Sequence, residues 1–326
     1  MKTLIIYYSQ TGNTGKIAYA IRDGIRKAAG QCDIVALKNA KYEDLNKYDL
    51  IGIGSPMWFA EPPNLTLWID ALPDQGGKQA FFFSTHGTLP LLYAPIMSRK
   101  LTMKYFTVIG WNDWYGSYLS DAPVWFTDGH PDEIDLKEAE EFGKQIAETS
   151  KRISAGEKNL VPALPEMPAV SFQALDLMLR AIHKVPGFNL HGILGYDKSK
   201  CNYPKCHICI DNCPMGYIDF SVEPRRFGQE GDRCATPCNF CGMICPTGAI
   251  YRIGDAMNSI YQSEAKRLED IARVEGKNAF VAGIDEDEAK GKFRYLIDKT
   301  KIGKHMPGAP KEIKHPRYKI PKDAED

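Results

Sequence analysis

Apolar positions in the first half of the chain come in solid blocks separated by stretches with helical spacing. Residues 3–8 form an unbroken apolar run, as expected of a parallel strand buried on both faces. A polar stretch follows, Ser9-Gln10-Thr11-Gly12-Asn13-Thr14. Ile17, Ala20, Ile21 and Ile25 then recur at helical spacing and predict a helix over residues 14–29. The alternation continues with strands over 32–37, 50–54, 79–83 and 105–110, and helices over 65–71 and 133–153. In the last helix Ile134, Ala139, Phe142, Ile146 and Ala147 are expected to face inward. Strand and helix alternating in this way predict an α/β fold, a doubly wound five-stranded parallel sheet.

The pattern breaks at residues 160–168, where three prolines in nine residues predict an extended spacer. Residues 172–183 are apolar at helical spacing, 187–195 read as loop, and 257–274 read as a helix with a charged face. The expected organisation is a first domain over 1–153, a Pro-rich linker and helix over 154–195, and a small domain over 196–254. A C-terminal helix and basic tail over 255–326 follow.

Eight of the nine cysteines lie between 201 and 245, in two quartets. Cys201, Cys206, Cys209 and Cys213 precede Pro214; Cys234, Cys238, Cys241 and Cys245 precede Pro246. The shared ending C-x2-C-x3-C-P is an iron–sulfur spacing, in which the cysteine before proline ligates the neighbouring cluster. This predicts two [4Fe–4S] clusters, one on Cys201, Cys206, Cys209 and Cys245, the other on Cys234, Cys238, Cys241 and Cys213. The competing readings are a pair of zinc knuckles, which more often pair C-x2-C units or include His, and a disulfide framework. The two halves, Cys213-Pro-Met-Gly-Tyr-Ile and Cys245-Pro-Thr-Gly-Ala-Ile, resemble those of bacterial two-cluster ferredoxins. The sequence departs from that family in front, where four residues (202–205) and three (235–237) replace the usual two between the first pair of cysteines. The ninth cysteine, Cys32, is expected to be a small buried apolar residue.

A short polar loop between a buried strand and a helix N-terminus is suited to phosphate, because free N–H groups and the helix dipole favour an anion. The loop lacks the Lys-Ser/Thr of a P-loop and the glycine pattern of a dinucleotide fold. Here the chain resembles the flavodoxins, whose FMN phosphate loop reads S/T-x-T-G-x-T. That resemblance implies FMN on Ser9, Gln10, Thr11, Gly12, Asn13 and Thr14. Ligands of such sheets lie at the carboxyl ends of the strands. The third-strand loop Ser55, Pro56, Met57, Trp58 and Phe59 is therefore expected to meet the isoalloxazine, with Trp58 stacked on it. Ser84, Thr85, His86 and Gly87 are expected at its pyrimidine side, with His86 a donor to the flavin or a solvated loop residue.

Residues 111–118 and 124–126 are rich in aromatics and read as a long loop. It is expected either to close over the flavin or, preferably, to form an interface to the cluster domain. No acid or base in it stands out: Asp113, Asp121 and Asp128 are equivalent, and no catalytic residue is assigned.

Composition adds little. Formal net charge is zero and charged residues are 25% of the chain, which argues against nucleic acid as a partner. No apolar run approaches a membrane span, and the N-terminus shows no secretory leader, so a cytoplasmic and, given the clusters, anaerobic setting is expected. Together the domains resemble the flavodoxin–ferredoxin fusion proteins. The resemblance implies an electron-transfer iron–sulfur flavoprotein passing electrons between FMN and the clusters, toward a redox partner protein or a small-molecule electron acceptor. A flavin-dependent reductase of a small organic substrate, fed by its own ferredoxin domain, is the alternative, and a cluster-gated redox sensor is a third reading. A homodimer is compatible with all of these.

Overall fold

The computed structural model describes residues 1–57, 61–87, 90, 92–117, 127–166, 193–221, 240–253 and 286–296. These fall into two compact units, one from residues up to 166 and one from residues 193 onward. The expected helices over 172–183 and 257–274, the basic tail, and Trp58, Phe59, Cys234 and Cys238 lie outside the described residues.

The first unit is built on β1 (Lys2–Tyr7), β2 (Gln31–Ala36), β3 (Leu50–Pro56), β4 (Gln79–His86) and β5 (Thr107–Tyr115). All neighbours are parallel and the order is β2-β1-β3-β4-β5, so the predicted doubly wound sheet is present. The order reverses between β1 and β3, the switch point at whose carboxyl ends such sheets bind ligands. The helices are α1 (Asn13–Ala29), α2 (Pro63–Asp70), α3 (Tyr93–Met103) and α4 (Glu133–Ser154).

The solid apolar blocks are buried on both sides. Ile5, Ile17, Ile21, Ile25, Phe81, Phe83, Ala139, Ile146 and Ala147 form one continuous core between the sheet and the α1–α4 pair. Two glycines let that pair approach. A Cβ on Gly24 would overlap the Glu140 carbonyl oxygen, and one on Gly143 would overlap that of Ile21. Backbone cannot be relieved by a rotamer change. Gly143→Ala is therefore expected to cost about 3 kcal/mol and to lower Tm by roughly 6–12 °C in a calorimetric scan. An unchanged Tm would show that the helices can separate freely. Cys32 is fully buried as expected, and burial pushes its thiol up to about 12, with Arg26 opposing, so it stays protonated and inert.

Four sequence expectations are corrected. β4 and β5 run further than predicted, to His86 and Tyr115, because pairing continues from Phe82↔Trp111 to His86↔Tyr115. Residues 111–115 are thus strand, not loop. Trp111 stacks on Phe82 with rings 8° apart, while Trp114 points the other way onto Phe142. Helix α3 was not expected, its pattern being masked by Pro95, which its first turn tolerates. Ile134 is half exposed rather than inward, since it sits in the first turn of α4. Residues 193–195, read as the end of a loop, fall in β6 (Ile193–Tyr196), antiparallel to β7 (Ile250–Ile253). Among the described residues the second unit also holds the short helices α5 (Ile208–Asp211) and α6 (Phe240–Ile244).

Candidate functional site

The loop after β1 is buried rather than solvated. Gln10, Thr11, Asn13 and Thr14 are each less than a tenth exposed, although all four are polar. Gly12 caps α1 in the left-handed region, φ 91°, with no side chain on the first-turn N–H groups and no acid in that turn. A glycine meets that φ without strain and leaves the helix end open. Two further polar atoms face inward unsatisfied: Ser9 Oγ and Gln10 Nε2 are buried without a hydrogen-bond partner. Orphaned groups at an uncapped helix N-terminus are what an anion would satisfy.

The other loops close around this one. Thr14 Oγ1 and Thr85 Oγ1 are 2.7 Å apart, tying α1 to the end of β4. Asn13 Nδ2 donates to the Ser117 carbonyl at 2.9 Å. Ser117 N–H in turn donates to the His130 carbonyl, and Thr127 Oγ1 donates to that of Gly116. Gly116 lies close against both, since a Cβ there would sit 3.3 Å from Asn13 Cβ and 3.5 Å from Thr85 Cβ. Sequence reading missed Gly116, Ser117 and Thr127. Their one local signal was the small pair Gly-Ser directly after the aromatic run. The carboxylates of Asp132 and Asp135, with His130, group within 4.8 Å but serve as the cap of α4.

Ser55 is fully buried and shares a hydrogen bond with Tyr93 Oη, 2.8 Å, and Met57 N–H donates to the Thr85 carbonyl. His86 is no solvated loop residue: its ring is buried on β4, and Nε2 lies 2.9 Å from Asp113 Oδ2. Its ring also meets Tyr115 edge-on at 4.5 Å. Asp113, unassigned from sequence, is thus the partner that orients His86. Trp111 and Trp114 serve the sheet and core, so no lid is built from them.

In the second unit, β6–β7 pairing and the Asp197 N–H to Ala249 carbonyl bond bring the two cysteine runs together. Cys201, Cys206, Cys209 and Cys245 line one cavity, with Phe220 and Ile250 as apolar walls. Three come from the first quartet and one from the second. The described cysteines form no disulfide. Burial pushes the Cys209 thiol up to about 11, helped by the charges of Cys245, Cys201 and Cys206. At Cys245 burial is outweighed by donors, the N–H groups of Ile250, Thr247 and Ala249 and the Thr247 hydroxyl, and the pKa is lowered. Sulfurs that repel one another yet are fed by N–H donors suit a cationic centre. Cys213 accepts from the Tyr217 N–H at 3.4 Å, and Cys241 is half-buried on α6.

Among the described residues no helix is long and apolar enough to cross a membrane. The sequence of residues 5–82 matches the flavodoxin family model. An uncharacterised protein of Methanocaldococcus jannaschii is 32% identical over 153 residues, which is 45% of this chain and 98% of that protein. A ferredoxin of Methanothermococcus thermolithotrophicus is 35% identical over 54 residues, 17% of this chain and 87% of that protein. A flavodoxin structure from the domain Archaea covers 46% of the chain at 22% identity, with 99% of that structure matched and a TM-score of 0.38. The family-model match thus supports a flavodoxin domain at the N-terminal side of this chain.

Proposed function

We propose that the chain is an electron-transfer iron–sulfur flavoprotein, with FMN on the domain of residues 1–153 and two [4Fe–4S] clusters on that of residues 196–254. Residues 154–195 would link them, and residues 255–326 would follow. The cavity shared by Cys201, Cys206, Cys209 and Cys245 carries this reading, because it joins the runs in the interleaved set that the spacing predicts. The spacing of its sulfurs argues for a cluster over zinc. Tetrahedral zinc needs sulfurs about 3.8 Å apart, from bonds of about 2.3 Å. Among the described residues, no three cysteine sulfurs lie within 4.8 Å of one another. Cys234, Cys238, Cys241 and Cys213 would hold the second cluster.

On the flavin side, Ser9 Oγ, Gln10 Nε2 and the open N–H groups after Gly12 would hold the phosphate. Thr14 and Asn13 are already fixed by Thr85 and Ser117 and would hold the loop in shape. Ser55, Pro56, Met57, Trp58 and Phe59, with Ser84, Thr85, His86 and Gly87, would frame the ring system, Asp113 orienting His86. A flavin exchanges one or two electrons and a cubane one, so the pair couples the two kinds of redox chemistry. The protein's part is to bury both, set their potentials through hydrogen bonds, and pass electrons to a redox partner.

The test is anaerobic reconstitution followed by reductive titration. Expected are one FMN and about eight iron atoms per chain, with the flavin absorbance and cluster signals reaching a common potential. Zinc in place of iron, or clusters that never equilibrate with the flavin, would sink the proposal.

A further inference from the structure

The two cysteine-proline turns close in the same way but do not serve their sulfurs with the same donors. Cys213-Pro-Met-Gly and Cys245-Pro-Thr-Gly both close with a glycine at φ 65°, whose N–H donates to the cysteine carbonyl at 3.1 and 3.3 Å. Four residues beyond each cysteine a backbone N–H serves its sulfur, from Tyr217 in one turn and Ala249 in the other. The one side-chain donor among them stands two residues beyond the cysteine. Thr247 Oγ1 lies 3.6 Å from Cys245 Sγ, within reach for so large an acceptor. The matching residue is Met215, which has no hydroxyl.

A cysteine sulfur bound to iron carries no proton. In this contact the hydroxyl can then only donate. Donation to a ligand sulfur stabilises the more negative, reduced state of a cluster and raises its potential. We infer that Thr247 sets the two clusters apart, making the one on Cys201, Cys206, Cys209 and Cys245 the site where a single electron comes to rest. This rests on the cluster reading above. One electron supplied to the oxidised pair by dithionite partitions between the clusters, with no proton or bond exchanged. A hydrogen bond of about 1 kcal/mol shifts that partition on the order of fivefold.

The experiment is a redox titration of the reconstituted full chain, followed by electron paramagnetic resonance. Thr247→Val keeps the shape and removes the donor. One cluster's midpoint should move to more negative potential, while the other cluster and the flavin stay put, and Thr247→Ser should restore it. The signal that moves should be the one missing from Cys209→Ala. Conversely, Met215→Thr should raise the midpoint of the second cluster, which covers the case of a Val variant that loses iron. If all midpoints stay unchanged with iron and sulfide intact, the inference is overturned while the cluster reading stands. If the unaltered protein lacks two clusters, the cluster reading itself has failed.

Discussion

Removing Cys209 and Cys245 together is expected to leave one cluster, whereas removing Cys209 and Cys213 together is expected to leave none. In sequence the second pair belongs to one run and the first pair does not. In space Cys209 and Cys245 line the same cavity. If the cysteine before proline serves the neighbouring cluster, Cys209→Ala/Cys245→Ala damages one site twice. The other site keeps its full set, Cys234, Cys238, Cys241 and Cys213. Cys209→Ala/Cys213→Ala removes one ligand from each. Iron and acid-labile sulfide per chain read this directly: roughly four irons for the first variant and close to none for the second, against about eight unaltered. Metal binding supplies much of the folding free energy of so small a unit, so the second variant should also lose its β6–β7 pairing. The reverse ranking of the two variants would mean contiguous quartets.

What could be read from the sequence was what depends on neighbours along the chain. β1, its loop and α1 were legible because a buried strand, a hydroxyl-rich turn and a helical stripe follow one another within the first 29 residues. The meeting of Cys201, Cys206 and Cys209 with Cys245 in one cavity was legible because the spacing of the two runs interleaves them. What escaped was set at a distance. Asn13 and Ser117 meet across 104 positions, and His86 finds Asp113 across 27. β5 looked finished at Gly110 because Asn112 and Asp113 are consecutive polar residues. On an edge strand both can reach solvent, so alternation weakens while pairing continues. Gly24 and Gly143 carry the loss in helix propensity of any interior glycine. In the fold they are where two backbones touch, so the loss in propensity is offset by packing.

Ser9→Asp tests the phosphate cradle in the same spirit, because it reverses the polarity of one orphaned atom and little else. Ser9 Oγ is buried without a partner beside an uncapped helix N-terminus that has no acid in its first turn. An aspartate there would satisfy the helix dipole by itself and so compete with the phosphate. It would also repel a bound monoester: like charges about 4 Å apart at an effective dielectric near 20 cost about 4 kcal/mol. Partial solvent access reduces that to about 3 kcal/mol, or roughly a hundredfold loss of FMN affinity. Two controls separate this from misfolding. Tm of the flavin-free protein should hold or rise slightly, since a carboxylate near the N-terminus of α1 is favoured by the helix dipole. Riboflavin, which lacks the phosphate, should bind the variant as well as it binds the parent. Titration of both flavins by fluorescence quenching decides it. A variant that loses FMN and riboflavin equally would place the phosphate elsewhere and leave the orphaned serine without a ligand.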